Sequence, residues 1–141
     1  QRRDPVVFER LREEFAGAAG LIADPGRSAY YDLVARFDRA VDDAATNTYL
    51  VSALTGLRTH LARLRRVAQD NPQRLAAAAR EQLLIVQAIL AGDVDRARTA
   101  TPVHLHNSLS TIIDAADSGR FAAPVSTAHH TNPAHQIDRT A

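Results

Sequence analysis

An all-α fold of about five to six helices follows from three features of the sequence. Alanine and leucine dominate a chain of 141 residues that has only four Phe, three Tyr and no Trp. Its apolar residues recur at steps of three and four rather than two. Asp, Asn, Pro and Gly stand at the ends of these periodic stretches, where helices are capped and stopped. A β-sandwich would call for more alternating β-branched and aromatic residues.

The first helix opens at "DPVVFERLREEFAGAAGLI", with Asp4 as N-cap and Pro5 in the first helical position. Val7, Leu11, Phe15 and Ala18 form its stripe, and Pro25-Gly26 ends the segment in a turn. The second helix is expected over about Ser28 to Ala45, with Leu33, Phe37, Ala40, Val41 and Ala44 facing inward. After a break at "ATNT", Thr46 or Asn47 caps a third helix over about Thr48 to Gln69. Leu50, Ala53, Leu54, Leu57, Leu61, Leu64 and Ala68 give it a sustained seam.

Asn71-Pro72 starts a fourth helix that reaches Ala91 and contains "LLIVQAIL". That run is apolar nearly all round, which predicts a central, buried helix. Gly92 stops it, and Asp93 caps a fifth helix over about Val94 to Asp117. Pro102 lies inside, so a kink or break is expected near Arg98 to Thr101. Residues 118–141 carry two prolines and no apolar period, and read as a flexible or exchanged tail after a domain of residues 1–117.

Composition narrows the function. Seventeen basic against sixteen acidic residues leave a net charge of +1, without the basic excess of a nucleic-acid surface. The cluster "HLARLRR" alternates arginines with leucines and reads as a solvated helix face. With no cysteine, thiolate zinc sites, disulfides and cysteine nucleophiles are excluded. No apolar run approaches a membrane span and no signal peptide opens the chain, so a cytoplasmic protein with no membrane partner is expected. The absence of any Met predicts a piece of a longer polypeptide.

Catalytic signatures are missing. There is no Gly-x-Ser-x-Gly, no His-Glu-x-x-His, no Glu-x-x-His pair, no phosphate-cradling Gly-rich loop and no EF-hand loop. An enzyme is therefore not expected. What stands out instead is a set of polar residues on apolar helices: Asp38 one turn after Val34, Gln82 before a buried run, and His104 one turn before Ser108. Taken singly, each has an ordinary structural reading, as boundary carboxylate, bonded amide and interior histidine. His60, beside Leu57, Leu61 and Leu64, has the same interior default, and His129, His130 and His135 fall in the tail.

Taken together, three segments resemble the effector-binding (FCD) domain of FadR-type GntR transcription regulators. "VARFDRAVDDAATN" supplies Phe37, Val41, Ala44 and Asn47, and "EQLLIVQAILAGD" supplies Glu81, Ala88, Ile89, Gly92 and Asp93. Ala97 and His104-Leu105 complete a match in order and spacing over about residues 5 to 116. The resemblance implies an antiparallel bundle around a cavity that binds a small organic acid or fatty acyl effector, a homodimer, and DNA binding through an N-terminal winged helix. That winged helix and the family's usual first helix are not in this sequence.

In many members of that family one Asp and three His hold a divalent metal. The corresponding positions here are Val34, Asp38, Gln82 and His104. The residual donor set for a metal such as Zn or Ni is thus Asp38, Gln82 and His104, and a neutral amide is a poor substitute for imidazole. No cofactor is expected. The implied effector-binding set is Val34, Asp38, Asn47, Gln82, His104 and Ser108. The rival expectation is a helical dimerisation or interaction module that binds no ligand and has a collapsed interior.

Overall fold

The computed structural model describes residues 4–45, 47–65 and 71–118. It contains six helices and, among the described residues, no strand: α1 (Pro5–Ala16), α2 (Ala18–Ala23), α3 (Ser28–Ala44), α4 (Thr48–Arg65), α5 (Pro72–Ala91) and α6 (Val94–Asp117). The expected tail, with its three histidines, lies outside the described residues from position 119 onward, as do residues 66–70 at the end of the expected third helix.

The helix starts follow the capping chemistry. Asp4 accepts the Val6 amide at 3.0 Å, Asn47 the Leu50 amide at 3.0 Å, Asn71 the Arg74 amide at 3.0 Å and Asp93 the Arg96 amide at 2.9 Å. Each bond satisfies an amide that the first helical turn cannot. Gly92 closes α5 in the left-handed region, φ 69°, where a Cβ would be strained.

One expectation about helix continuity is corrected, and the break expected near Pro102 is absent. The first helix is two, divided at Gly17, whose backbone (φ −93°, ψ 8°) leaves the α region while its amide still bonds the Glu13 carbonyl at 3.1 Å. The apolar period runs straight across the division, because Phe15, Ala18 and Ile22 are all buried on the same side. Conversely, α6 passes Pro102 without a break. Pro102 and Arg98 are both exposed, so water can replace the donor that the Arg98 carbonyl loses.

Helix α5 is the centre. It packs against α1, α2 and α6, and α3 closes the core over α1 and α2. Phe8, Leu11 and Phe15 from α1 meet Leu33, Val34 and Phe37 from α3 and Leu75, Ala79, Ile85 and Val86 from α5. Phe15 and Phe37 stand edge to face, ring centres 5.8 Å apart. Burial of these side chains supplies most of the stabilisation, roughly 1.5–3 kcal/mol for each large one. Arg36 of α3 donates to both carboxylate oxygens of Glu14 on α1, one at 2.8 Å, and fastens the two helices at their edge. On the outer face of α1, Arg12 pairs with Glu9 at 2.6 Å in an exposed i,i+3 bridge.

Helix α4 departs from the sequence reading. Its seam was expected to be core, yet Leu50 and Leu57 are half exposed and Tyr49 is almost wholly so. His60, expected in the interior, is exposed as well. The period is that of an amphipathic helix, but the rest of this chain does not cover the apolar side. The described attachment of α4 to α3 is polar: Arg58 pairs with Asp42 and approaches Asp38 at 3.8 Å.

Candidate functional site

A cavity of about 60 Å³ lies between α3, α5 and α6. Helical geometry decides which residues reach it. On α5, Arg74, Ala78 and Gln82 are four apart and share a face; on α6, His104, Ser108 and Ile112 do the same, with Thr111 three residues beyond Ser108. Tyr30, Tyr31 and Val34 contribute the α3 wall, and Leu75 the rest of the α5 wall. The lining is largely apolar, with polar groups concentrated on the α5–α6 side.

Those polar groups are organised by Glu81. Its carboxylate accepts both ends of the Arg74 guanidinium, at 3.0 and 2.9 Å, and the Asn107 amide at 2.8 Å. His104 Nδ1 lies 2.8 Å from the same carboxylate. An ionised carboxylate only accepts, so Nδ1 carries a proton and the tautomer of His104 is fixed. Arg74 also donates to Ser108 Oγ at 3.3 Å. Burial pushes the Glu81 carboxyl up, but the hydrogen bonds from Arg74, Asn107 and His104, with the attraction of the Arg74 charge, outweigh it. Together they hold Glu81 below the usual carboxylate range.

Gln82, next in sequence, has the opposite circumstances. It is only 2% exposed, and its Oε1 has no hydrogen-bond partner among the described residues. Tyr30, opposite on α3, donates its hydroxyl to the Leu75 carbonyl at 3.3 Å.

Of the residues singled out from sequence, Val34, Gln82, His104 and Ser108 line this one cavity. Asp38 and Asn47 do not. Asp38, one turn beyond Val34, faces Arg58, and Asn47 caps α4. Of the three residual metal donors, Gln82 and His104 line the cavity and Asp38 does not, and no three His, Asp or Glu among the described residues are grouped to hold a metal ion. The residues present do not fit the metal site that the resemblance implies.

Sequence reading missed Arg74, Tyr30, Tyr31 and Thr111, and passed over Glu81 as the acceptor on which the network converges. A signal for the pair was there. Arg74 and Glu81 are seven apart, two turns of one helix, so opposite charges share a face.

A family model of the FCD domain matches residues 1–107. The chain belongs to the FCD domain family. FCD domains are the C-terminal regulatory domains of GntR-type transcription regulators, and that family is not one of enzymes. In this FCD domain no described helix is long and apolar enough to cross a membrane. No curated protein and no solved structure matches the chain.

Proposed function

We propose that this FCD domain is the effector sensor of a cytoplasmic bacterial GntR-type regulator, taking a short organic acid into the cavity between α3, α5 and α6. The observation that carries the reading is the cavity itself. A bundle that served only to dimerise would have no reason to leave a space lined by Arg74, Gln82, His104 and Ser108. Arg74 offers guanidinium N–H groups to a carboxylate, while Val34, Leu75 and Ile112 receive its carbon skeleton. At about 60 Å³ the space is far below the several hundred Å³ of typical ligand pockets. This favours a compact acid over a fatty acyl chain.

The cavity is bounded by three helices, so an occupant alters their relative packing by as much as its affinity differs between arrangements. In a homodimer with N-terminal winged helices, such a change resets the spacing of two DNA-reading elements against the DNA repeat. The apolar sides of α4 (Leu50, Leu57) and α6 (Leu105, Leu109), each about half exposed, are in keeping with a second copy covering them. Sedimentation of the chain tests the dimer.

Titration of short carboxylic acids tests the sensor, with Ala78→Leu as the comparison because its side chain fills the cavity. Stabilisation of about 2.7 kcal/mol at a hundredfold excess over Kd is expected for the natural chain. Ala78→Leu should abolish it. Acid binding that persists in Ala78→Leu would remove this cavity from the mechanism.

A further inference from the structure

We propose that α6 is the seam on which two copies of this chain meet, laid antiparallel to each other across a two-fold axis. The proposal rests on the homodimer of the reading above and adds its geometry; it does not depend on what the cavity binds.

Helix α6 packs against α5 on one side and carries the cavity residues His104, Ser108 and Thr111 on the adjoining face. Its outer face is uncovered among the described residues. There Arg98, Pro102, Leu105, Leu109, Ile113 and Asp117 follow one another at steps of four, three, four, four and four, and so form one row along the helix. Leu105, Leu109 and Ile113 are 59, 56 and 49% exposed, and Arg98, Pro102 and Asp117 are exposed as well. An apolar row closed at both ends by charge has the anatomy of a contact surface.

The charges at the two ends decide what fits there. The row begins with a cation, Arg98, and closes with an anion, Asp117, nineteen residues on. At about 28 Å apart on one helix, they cannot reach each other. Neither side chain has an ion-pair or hydrogen-bond partner among the described residues. Asp117 moreover stands at the carboxyl end of α6, where the helix dipole disfavours a carboxylate and favours a cation.

A row that is positive at one end, negative at the other and apolar between is complementary to itself turned end for end. A two-fold interface requires that property, because the same patch must meet itself. In the antiparallel pair Arg98 faces Asp117 of the second copy, Pro102 faces its Ile113, and Leu105 and Leu109 lie beside the axis. Each Asp117 gains the cation that its own helix end lacks. A partner of uniform charge would be matched at one end of the row and opposed at the other.

Sedimentation equilibrium of the full chain measures the dissociation constant of the dimer. Leu109→Asp puts a carboxylate beside the axis from each copy and should weaken the dimer by about a hundredfold or more. Arg98→Asp sets like charges against each other at both ends and should weaken it about tenfold, as should Asp117→Arg. With both reversals in one chain, opposite charges face each other again and most of the affinity should return. All three positions are exposed, so the urea midpoint of the dissociated chain should change little. Single reversals without effect, or a double reversal no better than either single, would overturn the antiparallel seam. A dimer that survives Leu109→Asp would overturn it too, giving the contact to another surface such as the Leu50–Leu57 side of α4 and leaving the homodimer standing. A natural chain that stays monomeric would overturn both.

Discussion

Glu81 and Arg74, two turns apart on α5, meet through two hydrogen bonds of 3.0 and 2.9 Å with both side chains largely buried. The pair holds Arg74 against the cavity on one side, and Glu81 reaches across to α6 through His104 and Asn107 on the other. One carboxylate thus orders the polar half of the site.

Removing that carboxylate leaves a mostly buried guanidinium without its counter-ion. Glu81→Ala should therefore lower stability by about 2 to 4 kcal/mol, less than a fully buried pair because some water reaches both groups. Glu81→Gln keeps acceptor capacity and should lie between. Urea denaturation of the three chains measures the order; equal midpoints would show that the network contributes nothing.

Acid should expose the same group. The folded-state pKa of Glu81 is lowered, and so is that of Glu14, chiefly by its hydrogen bond from Arg36. A lowered carboxyl stabilises the fold at pH values above its unfolded pKa, about 4.3. That contribution is lost as pH falls through the folded value. The urea midpoint should hold near neutrality and drop below about pH 5, with a shallower drop in Glu81→Gln. A midpoint independent of pH between 5 and 3 would contradict the assignment.

Asn47 separates a structural role from a binding one. Its side chain caps α4 and does not line the cavity. Asn47→Ala should cost about 1 kcal/mol of stability. Acid affinity should stay unchanged in calorimetry, whereas a tenfold loss would return Asn47 to the site.

Gly92 ends α5 at φ 69°, directly before the cap of α6. Gly92→Ala forces a Cβ into the left-handed region and should destabilise by about 1 kcal/mol. An unchanged midpoint would show that the α5–α6 connection adopts another conformation.

Much of this molecule is legible in its sequence because helix ends are local chemistry. Pro5 after Asp4, Pro72 after Asn71, and Gly92 followed by Asp93 mark α1, α5 and α6 where the structure has them. The division at Gly17 left no such mark, since no Pro or capping side chain accompanies it and the apolar period continues through it. The half-exposed row of α4 was illegible for another reason: periodicity identifies an apolar face but not what covers it. At the site, the family resemblance picked out Val34, Gln82, His104 and Ser108, whereas the Glu81 hub depends on how α5 and α6 meet. Asp38 follows Val34 by one turn, and only the position of Arg58 on another helix explains where its carboxylate turns.

The burial of the Arg74–Glu81 bridge has a consequence for how the site behaves in changing salt. Mobile ions weaken pairs they can surround, such as Arg12 and Glu9 on the outer face of α1, and act far less on charges enclosed between helices. Acid recognition of the proposed kind, organised by the inner bridge, should stay nearly constant when osmotic stress alters the ionic strength around the protein.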